Sequence, residues 1–175
     1  MKKITILFAL MLASFGIFAQ QTDAISKFFS KYADDPSFSN VNISSKMFKL
    51  FTSVEVSNPD DKEILDAINS LSGLRILAKS DISNGRELYK EAFSKVNAKE
   101  YEELMSIREK DQDFKFLIKS NGNTIQELLM ISGGPKEFMI MSLTGNIDLN
   151  KISKIGSKMN IGGLENLEKM NDKKK

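Results

Sequence analysis

Residues 114–145, FKFLIKSNGNTIQELLMISGGPKEFMIMSLTG, hold three short apolar runs separated by turn chemistry. Asn121-Gly122 is the strongest hairpin signal in the chain, and Gly133-Gly134-Pro135 is the next. With the preceding run, four strands are predicted: Tyr101–Ile107, Phe114–Ser120, Ile125–Ser132 and Phe138–Thr144. Connectors this short join neighbouring antiparallel strands, so the segment reads as a meander. Along Ile125–Ser132, Ile125, Leu129 and Ile131 share a face with Glu127, while Leu128 and Met130 lie on the other face. Along Phe138–Thr144, Phe138 and Ile140 oppose Met139, Met141 and Leu143. Two readings follow from strands that are apolar on both faces. They are central strands covered on both sides, or helices cover one face and leave Met130, Met139, Met141 and Leu143 as an adaptable patch for a partner or lipid-like ligand.

Ahead of the meander the apolar period lengthens to that of helices. Ile25, Phe28, Phe29 and Tyr32 form one helical stripe, which Asp34-Asp35-Pro36 ends. Phe38–Ile43 is extended, and Ser44 is placed as the cap of a helix burying Met47, Leu50, Phe51 and Val54. Asn58-Pro59-Asp60-Asp61 opens another helix with Ile64, Leu65, Ile68 and Leu71 inward and Gly73 as its stop. Leu74–Ser80 alternates as a strand. A further helix starts at Ser83-Asn84-Gly85, with Glu87 placed for a capping box on Asn84 and with Leu88, Tyr89, Ala92, Phe93 and Val96 inward. After the meander, Asp148 caps a last helix carrying Leu149, Ile152, Ile155 and Met159, closed by Gly162-Gly163. No repeat or linker divides the chain. The expected fold is therefore a single α+β domain: an antiparallel sheet of four to six strands packed with about five helices.

The amino terminus reads as an address. Lys2 and Lys3 precede an apolar run from Ile4 to Ile17, and Phe18-Ala19-Gln20 follows, the pattern of a secretory signal peptide over residues 1–19. Its core is too short for a span of about 20 residues. The domain proper then occupies 20–170, with a polar basic tail at 171–175, and the mature protein is expected to be periplasmic or secreted, without a transmembrane span. The chain contains no cysteine, so neither a lipid anchor nor a disulfide is available, and packing alone must offset chain entropy.

Composition removes whole classes of chemistry. Without histidine or cysteine, zinc sites of those ligands, thiol nucleophiles and imidazole-based serine triads are impossible. No S-x-x-K, G-x-G-x-x-G or G-x-x-x-x-G-K-[ST] pattern appears. The 25 basic and 23 acidic residues balance once Lys2 and Lys3 are set aside, so no basic surface for nucleic acid is implied. Carboxylates remain: Asp34-Asp35, Asp60-Asp61, Glu102-Glu103 and Asp111-x-Asp113. Sequence neighbours on a strand point to opposite faces, which works against a catalytic pair. Asp111-x-Asp113 lacks the glycine and closing acid of a calcium loop and reads as a turn.

Two stretches are more specific than periodicity requires. Tyr32-Ala33-Asp34-Asp35 with Phe38 and Val41–Phe48, and Leu143-Thr144-Gly145-Asn146-Ile147-Asp148-Leu149, resemble the exported Bacteroidota family catalogued as domain of unknown function 4252. The resemblance covers nearly the whole mature chain and implies no activity, ligand or catalytic residue. It implies envelope residence, since some relatives look like lipoproteins, although this chain lacks the lipid-accepting cysteine; it also implies a neighbourhood of alternative sigma factors. Read physically, these stretches are architectural: a strand entering a helix cap at 42–47, and at 145–148 a return from the last strand into a capped helix. The sharper reading is that Asn42, Ser44, Asn146 and Asp148 converge at one end of the sheet as a polar recognition site.

The functional expectation is a non-catalytic binding, interaction or sensing module of the cell envelope, without cofactor or metal, meeting an envelope protein or a hydrophobic ligand. The alternatives are a carboxylate-dependent, metal-independent hydrolase and a structural subunit of an envelope complex. Oligomeric state is left open.

Overall fold

A computed structural model describes residues 24–51 and 58–153. The proposed leader at 1–19, Val54, Ile155, Met159, Gly162-Gly163 and the tail at 171–175 lie outside the described residues. In chain order the elements are α1 (Ala24–Tyr32), β1 (Ser39–Ser44), α2 (Ser45–Phe51), α3 (Pro59–Asn69), β2 (Leu71–Ser80), α4 (Gly85–Ser94), β3 (Glu102–Arg108), β4 (Asp113–Asn121), β5 (Thr124–Gly133) and β6 (Glu137–Ile147). A fifth helix begins at 149–153. Among the described residues, no helix is long and apolar enough to cross a membrane.

The strands form one antiparallel sheet in the order β1-β2-β6-β5-β4-β3. The four strands of the meander are sequential neighbours, and β6 closes the arrangement by pairing with β2. The fold is thus the single α+β domain the patterning predicts, with five helices packed on the sheet. Alternation along β5 explains how both faces are used. Leu129 and Ile131 join Leu77, Leu117, Phe138 and Ile140 beneath Ile25, Phe28 and Phe29 of α1 and Leu88 and Ala92 of α4. Leu128 and Met130 join Phe116, Met141, Leu143 and Ile147 beneath Phe48 of α2, Ala67 of α3 and Ile152. The sheet is a central layer, and its two most apolar strands sit in the middle because only there are both faces covered.

Several local expectations are corrected. Gly73 is not a helix stop: α3 ends at Asn69, β2 begins at Leu71, and Gly73 pairs within the sheet with Ser44 and Thr144. Met47 and Leu50 are 45% and 68% exposed, and Phe48 is buried in their place. The reason is that α2 leaves β1 with no connecting residue, so the strand's exit direction chooses the inward stripe. Phe93 is likewise exposed, with the Lys115 ammonium 4.7 Å from its ring centroid. Asn84 precedes α4 without a capping hydrogen bond from its side chain. The strand-to-helix return begins later than expected, because β6 runs through Gly145 to Ile147. Gly145, at φ 148°, sits where the β2 and β5 registers both break, against the carbonyl of Ser70.

Candidate functional site

Met130, Met141 and Leu143 are 0%, 2% and 5% exposed, and Met139 is partly buried beside them. They belong to the core beneath α2, α3 and the fifth helix, so they do not form the open apolar patch, and the both-faces-covered reading describes them.

The polar quartet divides into two pairs. Asn42 and Ser44 line a concavity of about 410 Å³ with Ser26, Ser72, Arg75, Ser142 and Thr144. Asn146 and Asp148 do not line it. The backbone N–H of Asn146 donates to Ser70, while the Asp148 carboxylate accepts from the N–H groups of Asn150 and Lys151 at 3.0 and 3.4 Å, as a helix cap does. They therefore serve the exit from β6.

The concavity follows from sheet register. Asn42 of β1 lies opposite Arg75 of β2, which lies opposite Ser142 of β6; one row further along, Ser44, Gly73, Thr144 and Glu127 align across four strands. These are positions on the α1/α4 face, where α1 places Phe29 over Arg75 and Ser26 beside it. At Gly73 an added Cβ would come within 2.9 Å of the Thr144 hydroxyl, so the glycine helps keep the floor open. A second hollow of about 170 Å³, lined by Phe29, Ser30, Ala33, Asn40, Asn42 and Arg75, adjoins it through the shared residues.

Arg75 links the two hollows. Its guanidinium lies 4.6 Å from the Phe29 ring centroid, and Nη1 donates to the Ser26 hydroxyl at 3.2 Å. Five ion pairs connect the described residues, and Arg75 takes part in none. The cation–π contact and the single bond to Ser26 hold the guanidinium in place while the other N–H donors of its fork are left for a ligand.

Behind this floor lies a closed polar network. Glu127, 7% exposed, accepts from the Tyr101 hydroxyl at 2.8 Å through Oε2 and from the Ser142 hydroxyl at 2.5 Å through Oε1. Both oxygens are satisfied by neutral hydroxyls, which is how a buried carboxyl is accommodated. Sequence reading placed Glu127 on an otherwise apolar face but missed Arg75 and Ser142. The one available signal was a lone arginine and a lone serine on inward positions of strands.

The remaining acids are dispersed. Asp113 pairs with Arg86 at 3.3 Å, Glu91 with Lys31 at 2.6 Å, Glu100 with Lys119 at 2.6 Å, and Glu103 with Lys115. Asp111 lies in the turn closed by the Glu109 N–H donating to the Gln112 carbonyl at 2.9 Å, so the turn reading describes it. Among the described residues, no group of three or more acids is placed to hold a metal ion.

No curated protein and no solved structure matches the chain. One family does, described as a domain of unknown function (DUF4252), over residues 32–155. That span begins at the last residue of α1 and takes in all six strands and, apart from Ser26, the residues lining the Arg75 concavity. On that match, the chain belongs to the DUF4252 family.

Proposed function

We propose that this protein is a non-catalytic binding module of the cell envelope, exported after loss of residues 1–19, and that the Arg75 concavity receives a ligand carrying a carboxylate or phosphate group. The observation that carries this reading is the arginine itself: a guanidinium 4.6 Å from the Phe29 ring centroid, in no ion pair among the described residues, at the floor of a hollow lined by Asn42, Ser44, Ser72, Ser142 and Thr144. A planar fork with spare donors matches a two-oxygen anion, and the Asn42 amide and Ser44 hydroxyl can donate to its remaining lone pairs, whereas the hydroxyls of Ser72, Ser142 and Thr144 already donate to Thr144, Glu127 and the Gly73 carbonyl. An arginine holds charge and does not relay protons, which suits retention of a ligand better than acid–base chemistry. The nearest carboxyl in the network, Glu127, already spends both oxygens on Tyr101 and Ser142. Envelope residence is supported by Lys2, Lys3 and the apolar run to Ile17.

Titration with acetate and with inorganic phosphate, followed by amide NMR, tests the site. Shifts are expected at Asn42, Ser44, Ser142 and Thr144 and are expected to vanish in Arg75→Gln at unchanged thermal midpoint. Saturating anion that leaves those amides unmoved sinks the reading. Cell fractionation that finds the chain in the cytoplasm with its first residues intact sinks the address.

A further inference from the structure

We infer that β1 is a dimerisation strand: two copies of this chain pair antiparallel along Ser39–Ser44 and join their six-stranded sheets edge to edge. The sheet has two edges, and the sequence treats them differently. β3, at one edge, carries Glu102, Glu103 and Arg108, and its register breaks between Glu103 and Met105. Charge and a bulge are the devices that keep an edge strand from recruiting another strand. β1, at the other edge, has neither. Its sequence SNVNIS contains no charge and no proline, its register with β2 is unbroken over all six residues, and all but Ile43 are exposed. An unbulged, uncharged edge whose outer side pairs with no other described strand is a template for pairing.

The pattern along β1 suits a second copy of itself. A twofold axis perpendicular to the sheet keeps each face with its like, so opposed positions share parity. Val41 then meets the second copy's Val41 or Ile43, and Asn42 meets Asn40 or Asn42. With Val41 on Val41, Ser39 meets Ile43, and with Val41 on Ile43, Asn40 meets Ser44; neither register brings like charges together within the strand. Val41, 39% exposed, is one of the four exposed large hydrophobic side chains among the described residues, and it lies on this edge strand. The interface borders the anion site, since Asn42 and Ser44 line that concavity, but Val41 alternates to the opposite face, so a change at Val41 tests pairing without touching the anion site.

Sedimentation equilibrium of the purified protein at concentrations rising to about 100 µM tests it, a range that reads any dimer with a Kd below about 100 µM. The wild type is expected to be a dimer. Val41→Lys, which sets like charges across the axis on an exposed position, is expected to weaken association by about tenfold or more with unchanged circular dichroism. Ser106→Lys on β3 is expected to change nothing. A wild type that stays monomeric, or a dimer equally strong in Val41→Lys, overturns the inference. Hydrogen exchange on the wild type guards against a misfolded variant: amides 39–44 must gain protection as concentration rises. Protection that appears only on adding envelope extract assigns a foreign strand to the edge and also overturns it.

Discussion

The Tyr101 hydroxyl donates to the Glu127 carboxyl at 2.8 Å, joining the residue that leads into edge strand β3 to the interior of β5 with β4 between them. Both side chains are buried, at 4% and 7% exposure, so the bond cannot be exchanged for one to water without opening the sheet. Tyr101→Phe strands one oxygen of a buried acid, and the expected loss is about 1–3 kcal/mol. In a Glu127→Leu background the same change is expected to cost little, giving a coupling of about 0.5–3 kcal/mol in a double-mutant cycle read by urea denaturation. Equal costs in the two backgrounds count against the network.

Met130 and Met47 separate core from surface. Met130→Ala removes a side chain closed in by Phe116, Leu128 and Met141, and about 2–5 kcal/mol of stability is expected to go with it. Met47→Ala is expected to fall within about 0.5 kcal/mol of wild type in the monomer. Near-equal values by chemical denaturation at low concentration contradict the burial.

Lys31 and Glu91 make the tie between α1 and α4 sensitive to pH. The hydrogen bond from Lys31 at 2.6 Å holds the Glu91 carboxyl below its ordinary range, burial opposes this, and the Tyr32 hydroxyl at 2.9 Å adds to the lowering. A depressed carboxyl contributes stability that is present above its unfolded value and lost as pH falls through the folded one. Lys31 is raised, first by its bond to Glu91, so its contribution persists to pH beyond the ordinary lysine range and is lost only above that. The stability difference between wild type and Glu91→Gln, measured across the acid range, is therefore expected to shrink as pH drops. A difference that holds constant to the lowest folded pH contradicts the tie. Glu100, lowered by Lys119 and then Asn97, predicts the same direction at the β3 end.

Gly145 and Gly122 test two kinds of glycine requirement. Gly122, at φ 58°, is the first residue of the β4–β5 turn, and an added Cβ there meets nothing within 4 Å. Gly122→Ala is expected to cost about 1–2 kcal/mol, the backbone term alone. At Gly145 a Cβ would lie 2.4 Å from the Ser70 carbonyl oxygen and 2.7 Å from the Leu71 Cα, so Gly145→Ala is expected to cost more. Thermal midpoints that reverse this order contradict the close approach.

How much of the molecule was legible followed the range of the forces involved. The meander from β3 to β6 could be read because alternation and turn chemistry are local: Asn121-Gly122 and Gly133-Gly134-Pro135 limit where the chain reverses, and the observed strands extend the expected ones by one to three residues at most ends. The Asp148 cap could be read for the same reason, since its acceptors and donors lie within three residues. Gly73 could not. Its place in β2 depends on pairing with Ser44 and Thr144, both distant in sequence. The inward stripe of α2 was misjudged because Phe48, Met47 and Leu50 are equally apolar, and only the exit from β1 distinguishes them.

By itself the sequence determined the fold class, the strand-rich second half, and the exclusion of thiol and imidazole chemistry, because composition and short-range periodicity act within one or two turns of chain. Tertiary structure decided which way each ambiguous apolar face pointed. It placed Met130 and Met141 in a covered core, and it brought Arg75, Ser142 and Glu127 from three separate strands into one polar corner. Burial and convergence depend on what packs across the sheet from far along the chain, and no local pattern carries that information.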